Sequence, residues 1–135
     1  MSYKKYMFEN SQFQEEIEGA VQSKNDGGKE ICGLMIDNGY FLELIRTRNK
    51  IKRGGGFAFY RTEIRNIQSA VNILGHEIVG TYHSHPLYIA KPGKGDIDNA
   101  LDDSLMLVID ATDKKASLWH IINNEATELN YSLIS

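Results

Sequence analysis

The chain has 135 residues, of which 41% are hydrophobic, and this length predicts one domain over residues 1–135 with a single core. Fifteen basic and eighteen acidic residues give a net charge of −3, so composition provides no general attraction to nucleic acid or to an anionic membrane. One cysteine excludes an internal disulfide, and without a secretion signal or an apolar run of about 18 residues we expect a cytoplasmic protein.

Hydrophobic periodicity predicts alternating strands and helices in the first half of the chain. Ser11 and Thr62 are the expected N-terminal caps of two helices, and Gly75 ends the second one. The turn Asp37-Asn38-Gly39 is typical of a hairpin between the second and third strands. The predicted elements are a strand at residues 3–8, a helix at 12–23 that buries Phe13, Ile17, Ala20 and Val21, strands at 30–36 and 40–46, and a second helix that buries Ile64, Ile67, Val71 and Leu74.

Residues 46–53 form a basic segment that precedes three glycines. Five of its eight residues are Arg or Lys. Contact with an acidic partner or with nucleic acid is one interpretation of such a run. We prefer the simpler interpretation, a solvated loop.

The second half of the chain is predicted to complete the sheet. Residues 105–109 are all apolar, which favours a strand at the centre of the sheet. A closing hairpin is expected between residues 116–122 and 126–134, with Asn123-Asn124 at its turn. Trp119 is interpreted as a core residue and His120 as a structural one.

The residues that carry chemistry lie between these predicted elements. Residues 78–86 form a strand-like run that contains His83 and His85, and alternate side chains of a strand share one face. Asp96 follows a proline- and glycine-rich bend at the expected start of a helix that runs to about residue 103, so its carboxylate can point back at the strand. Two imidazoles and one carboxylate predict a Zn²⁺ site with an open fourth position, which is typical of catalytic zinc.

These motifs resemble the signature of the JAMM metalloproteases, also called JAB or MPN-plus proteins. The matching residues are His83-Ser84-His85-Pro86, then Pro92 and Asp96. The upstream stretch Glu30-Ile31-Cys32-Gly33-Leu34-Met35 is similar to the Glu-Cys-Cys-Gly-Leu-Leu stretch of bacterial members. The family has a serine three residues before the aspartate, and here that position is Gly93. The resemblance extends over essentially the whole chain.

The resemblance implies a fold and a role for each motif residue. The fold would be α/β, with a mixed, mostly antiparallel curved sheet flanked by helices, as in JAMM/MPN and cytidine-deaminase-like domains. His83, His85 and Asp96 would bind zinc, and Glu30 would be the general base of a peptidase. Gly93 lacks the hydroxyl with which the motif serine stabilises the oxyanion. Loss of one such donor typically costs about 2.7 to 4 kcal/mol, so we expect a slow enzyme.

Other chemistries have weaker support in the sequence. Cys32 with a histidine suggests a nucleophile, but a cysteine in an apolar strand is more often a small buried residue. His76-Glu77 matches half of a zincin motif, and Gly80 stands where its second histidine belongs.

The resemblance also implies a substrate class. We expect peptide or isopeptide hydrolysis at the C-terminus of a ubiquitin-like protein, for deconjugation or precursor processing, in a bacterial conjugation system such as those linked to antiphage defence. Other proteins of such a pathway are possible partners, and we expect neither nucleic acid nor a membrane as a partner. The alternatives are a sulfur-carrier-protein peptidase and a weakly active or non-catalytic MPN interaction domain.

Overall fold

The computed structural model describes residues 6–52, 55–86 and 91–135. Within them the chain alternates between strands and helices, much as the periodicity predicts. The elements are β1 Tyr6–Glu9, α1 Asn10–Asn25, β2 Cys32–Asp37, β3 Leu42–Thr47, α2 Arg61–Ile73, β4 Glu77–His85, α3 Lys94–Asn99, β5 Ser104–Asp110, β6 Lys115–Ile122, β7 Glu125–Leu129 and β8 Tyr131–Ile134. None of these helices is both long enough and apolar enough to span a bilayer.

All eight strands belong to one sheet with the order β7-β6-β5-β4-β2-β3-β1-β8. Four neighbouring pairs are antiparallel, and the pairs β4–β5, β1–β3 and β1–β8 are parallel. The Tyr131 hydroxyl in β8 donates to the Ala116 carbonyl in β6, at 2.7 Å, although these strands lie far apart in the sheet order. The sheet is therefore strongly curved, and the predicted fold class is confirmed.

Side chains on the two faces of the sheet belong to different clusters. On one face α1 packs Phe13, Ile17 and Ala20 into the main core, which includes Met35 of β2 and Tyr82 of β4. On the other face α2 packs against β2, and α3 packs against β5 and β6. The residues buried on this second face are Leu34, Ile36 and Val71 beside α2, and Met106, Val108, Trp119 and Ile121 beside α3. Strand β4 separates the two helices of this face, and its end carries the predicted histidines.

The helix boundaries differ from the sequence prediction for local reasons. Helix α1 begins at Asn10 because the Glu9 carboxylate, and not Ser11, accepts the capping hydrogen bond from the Gln12 amide, at 3.1 Å. The prediction that Leu74 belongs to a buried stripe is wrong, since Leu74 lies after the end of α2 and is 66% exposed. Residues 3–5 of the predicted first strand lie outside the described residues.

The C-terminal prediction is wrong in one respect. Residues 126–134 do not form a single strand, because the extended structure is interrupted at Asn130. Strand β7 forms the expected hairpin with β6, but β8 crosses to the opposite edge of the sheet and pairs in parallel with β1. Strand β5 is interior, between β4 and β6, as its apolar sequence predicts.

The basic segment is only partly a solvated loop. Arg46 lies in β3, and its Nε is 2.9 Å from the buried Glu16 carboxylate, so the loop interpretation is wrong for this residue. The Arg48 guanidinium lies over the Tyr60 ring, 4.4 Å from its centroid. Arg53, also part of the predicted segment, lies outside the described residues.

Candidate metal centre

The end of β4 brings the two predicted histidines together. His83 is fully buried and His85 is 6% exposed, and both lie in register with interior strands, His83 opposite Cys32 of β2 and His85 beside Asp110 of β5. Because the strand alternates its side chains, both rings project from the same face. Their Nε2 atoms are 3.0 Å apart.

Asp96 completes a group of three converging side chains. Its Oδ2 lies 3.2 Å from His83 Nε2 and 3.1 Å from His85 Nε2. The Gly93 amide, just before α3, donates to the same Oδ2 at 2.9 Å and so fixes the carboxylate. Burial raises the pKa of Asp96, but hydrogen bonds with the two imidazoles outweigh it and lower the pKa well below its usual range. The carboxylate is therefore ionised, as a metal ligand must be.

The spacing of these three atoms fits a zinc ion. Ligands about 2.0 to 2.1 Å from a tetrahedral zinc lie about 3.3 Å from one another. The observed separations of 3.0 to 3.2 Å are close to that value. Two imidazole nitrogens and a carboxylate oxygen are also a ligand set that zinc accepts at catalytic sites. His83, His85 and Asp96 are called the candidate metal centre below.

Glu30 lies beside the candidate metal centre, just before β2. It is 8% exposed, and it offers a carboxylate oxygen in a group with His83 and His85 whose potential ligand atoms all lie within 4.8 Å of one another. Its Oε2 accepts a hydrogen bond from the Gly56 amide at 2.7 Å. Its Oε1 is buried and has no hydrogen-bond partner among the described residues. One oxygen of this buried carboxylate is therefore held, and the other is available.

Sequence reasoning missed Phe57, which forms a wall of the site. Its ring stacks on the His83 imidazole with centroids 4.7 Å apart and planes 22° apart. His83 Nδ1 is buried and makes no hydrogen bond within the part of the chain that the structure describes. The stacking contact, rather than a hydrogen bond from Nδ1, therefore orients this ring. No spacing rule links Phe57 to His83, so only the fold reveals the contact.

Gly93 occupies the position of the motif serine with ordinary backbone geometry, φ −79° and ψ 169°. A Cβ added there would lie 3.6 Å from Asp96 Oδ2, which is a normal van der Waals contact. The fold therefore does not require glycine at this position. The Gly93 N–H is already donated to Asp96, so it is not free to replace the missing hydroxyl as a donor to an oxyanion.

Three other polar candidates take structural positions. Cys32 is fully buried with its Sγ 3.5 Å from Thr47 Oγ1, and burial raises the pKa of the thiol, which opposes a nucleophilic role. His120 pairs with Asp103, with Nε2 2.7 Å from Oδ1. His76 lies between α2 and β4. These placements agree with the structural interpretations of Cys32 and His120.

Comparison with known proteins places this chain in a family. Residues 16–124 match the family of prokaryotic homologs of the JAB domain. This match covers most of the chain, and the chain therefore belongs to that family. The predicted JAMM/JAB resemblance is confirmed. No curated protein matches the sequence.

Solved structures share the fold at low sequence identity. A solution structure of a Desulfitobacterium hafniense protein has a TM-score of 0.78 and 20% identity, over 96% of this chain and 92% of that one. A JAB1/MPN domain protein from Archaeoglobus fulgidus has a TM-score of 0.53 and 12% identity, over 99% of this chain and all of that one. A structure described as "JAMM: A Metalloprotease-like Zinc Site in the Proteasome and Signalosome" has a TM-score of 0.50 and 11% identity, over 99% of this chain and all of that one.

Proposed function

We propose that this protein is a cytoplasmic zinc-dependent peptidase or isopeptidase that cleaves at the C-terminus of a ubiquitin-like protein. The observation that carries the proposal is the convergence of two imidazole nitrogens and one carboxylate oxygen at 3.0 to 3.2 Å, with a second buried carboxylate alongside. Membership of the JAB family supports metallo-hydrolase chemistry. The zinc site described for a JAMM protein of the same fold supports the choice of metal.

The chemistry divides among the chain's own residues. His83, His85 and Asp96 would hold the ion, which when bound supplies Lewis acidity and lowers the pKa of water. Glu30 would accept the proton of the attacking water at Oε1, the oxygen without a partner, and would then deliver it to the leaving amine. Phe57 covers one face of the His83 ring.

The substrate proposal combines the family with the shape of the site. Because both histidines are nearly inaccessible, a thin extended segment reaches the centre more easily than a folded surface does. The tail of a ubiquitin-like protein is such a segment, and it can bind as an added strand. We propose removal of the modifier from a target, or maturation of its precursor, within a bacterial conjugation pathway.

One observation favours a second candidate, a weakly active member of the family. Gly93 has no hydroxyl, and its N–H is already bonded to Asp96. The site therefore lacks an oxyanion donor at the position where the family has one. In this case the domain would bind zinc and the tail but turn over slowly.

Cleavage of a linear fusion between a ubiquitin-like protein and a reporter tests the proposal. The zinc-loaded protein should cleave at the end of the modifier, and a chelator should abolish cleavage. Glu30→Gln should lower kcat by about 10² to 10⁴ while zinc stays bound, since it removes the proton acceptor but no ligand. Two further substrates separate the alternatives. Faster cleavage of an adduct joined to the modifier through lysine indicates deconjugation, and faster cleavage of one joined through cysteine indicates sulfur-carrier processing. Cleavage that survives Glu30→Gln at full rate would rule out the mechanism.

A further inference from the structure

Asn49 organises the loop that contacts Glu30. Its Nδ2 donates to the Glu30 carbonyl at 3.0 Å and to the Gly56 carbonyl at 3.1 Å. Its Oδ1 accepts from the amides of Ile51 and Ala58, at 3.0 and 3.1 Å. One side chain thus connects the backbone of Glu30 to both sides of the loop. The proposed mechanism uses none of these contacts.

Gly56 is the point at which this loop reaches the Glu30 side chain. Its N–H donates to Glu30 Oε2 at 2.7 Å. Its φ is +93°, a conformation that side-chain-bearing residues rarely adopt, so presentation of this N–H requires glycine. At the neighbouring Gly55 a side chain has room, because among the described residues an added Cβ would meet only Glu30 Oε2, at 3.9 Å. Part of the glycine run therefore has a geometric purpose.

We propose that Asn49 and Gly56 are positioning residues for Glu30. Asn49 binds the backbone carbonyls of Glu30 and Gly56 and so fixes the two residues relative to each other. The Gly56 N–H then holds Glu30 Oε2. The carboxylate cannot rotate freely, so Oε1 is the oxygen that faces the reaction. This inference rests on the proposed role of Glu30 as the base.

The expected effect on catalysis is large because proton transfer depends on geometry. A displacement of about 1 Å in a reacting group can cost about 10²-fold in rate. Asn49 touches none of His83, His85 or Asp96 through a hydrogen bond in the described residues, so metal binding should not depend on it. Loss of kcat without loss of zinc distinguishes positioning from a general structural role.

Asn38 provides a matched control. It also organises a turn with its side chain, donating to Glu43 Oε1 and accepting from the amides of Tyr40 and Phe41. This turn lies between β2 and β3, at the end of β2 remote from Cys32 and the candidate metal centre. Asn38→Ala should therefore cost comparable stability and leave the site unchanged.

Amide hydrogen exchange in the full-length protein tests the contact without reference to activity. The Gly56 amide should be protected in the unsubstituted protein, and Asn49→Ala should accelerate its exchange at least 10-fold. Asn38→Ala should leave that rate unchanged. Equal protection of Gly56 in the unsubstituted protein and in Asn49→Ala would overturn the inference, whether or not the protein proves to be a peptidase.

Kinetics on the ubiquitin-like fusion provide the second test. Asn49→Ala should lower kcat about 10- to 100-fold with little change in KM or in zinc content. Its melting temperature should be close to that of Asn38→Ala. Gly56→Ala should have the same effect, and Gly55→Ala should not. Unchanged kcat in Asn49→Ala, or parallel losses of kcat and zinc, would refute the positioning role. If the unsubstituted protein fails to cleave, the proposed function fails and the exchange experiment still decides the inference.

Discussion

Asp96, which is partly buried, and Glu30, which is buried, are two carboxylates at one site, yet their surroundings suit them to different roles. Asp96 Oδ2 lies 3.1 to 3.2 Å from two imidazole nitrogens, at the spacing of metal ligands. Glu30 belongs to a looser group, and one of its oxygens is held by a backbone amide. The geometry therefore favours Asp96 as the ligand and Glu30 as the proton acceptor.

At the same scale, Gly93 gives a prediction about rate. Gly93→Ser fits, because the new Cβ would make an ordinary contact with Asp96 and the backbone geometry suits any residue. The added hydroxyl supplies an oxyanion donor, so kcat should rise by up to about 10²-fold. Steady-state kinetics on the ubiquitin-like fusion measure this change in kcat, and zinc content, which should be equal in the two proteins, is the control. Turnover that is already fast and is unchanged by Gly93→Ser would show that the donor is not needed.

At the scale of elements, local sequence predicted most of the fold. The apolar run of β5 predicts an interior strand, and the His-x-His spacing in β4 predicts that two rings share one face. The periodicity predicts helix α1 but not its start, since glutamate is not among the usual N-cap residues. The path of β8 depends on pairing with β1, more than a hundred residues earlier, and no local pattern encodes it.

The loop contacts of the site were equally inaccessible to local patterns. The stacking of Phe57 on His83 and the Gly56 bond to Glu30 join segments 26 residues apart, and they depend on the whole chain path. The glycine run at 54–56 was a usable signal, since consecutive glycines often mark a close backbone approach. The basic residues 46–53 that precede these glycines favour a solvated loop instead.

Helix α1 is fixed to the sheet by a polar network around the buried Glu16 carboxylate. The Glu16 carboxylate accepts from Arg46 of β3 at 2.9 and 3.1 Å and from the Tyr82 hydroxyl of β4 at 2.5 Å. Glycines make room for it, because a Cβ on Gly19 would collide with the Arg46 guanidinium and one on Gly33 with the Tyr82 ring. The network joins α1 to the strand that carries the histidines.

Removal of Arg46 should destabilise the protein. Arg46→Met leaves the buried Glu16 carboxylate without its cation, at a cost of about 2 kcal/mol in the free energy of unfolding. Arg48→Met is the control, since the Arg48 side chain is more exposed than that of Arg46 and its partner Glu63, at 3.8 Å, is less buried than Glu16, so this pair should contribute less than about 1 kcal/mol. Urea denaturation of both variants measures the difference. Equal losses would show that burial of the Glu16 carboxylate gives its ion pair with Arg46 no special weight.

Tyr82 makes stability depend on alkaline pH. Burial and the adjacent Glu16 carboxylate raise the pKa of the Tyr82 phenol well above its usual range. The unfolded chain loses this proton near pH 10 while the folded protein keeps it, so the free energy of unfolding falls above pH 10, by up to about 1.4 kcal/mol per pH unit. Tyr82→Phe should remove this part of the slope in denaturation series between pH 8 and 11. An unchanged slope in Tyr82→Phe would contradict this assignment.

At the scale of the whole molecule, strand β4 contributes functional side chains to both faces of the sheet. Tyr82 points into the core under α1, and His83 and His85 point to the face that α2 and α3 flank. The third converging side chain, Asp96, comes from α3, the helix in the crossover between parallel strands β4 and β5. The candidate metal centre is therefore built by the sheet and its crossover, not by a single motif.

Zinc content per chain tests the central claim most directly. Elemental analysis of the protein dialysed after exposure to Zn²⁺ should find one zinc per chain, and His83→Ala should lose it. His120→Ala, which removes a histidine paired with Asp103 away from the centre, should keep it. A protein that binds no zinc, or a His83→Ala variant that retains it in full, would contradict the account.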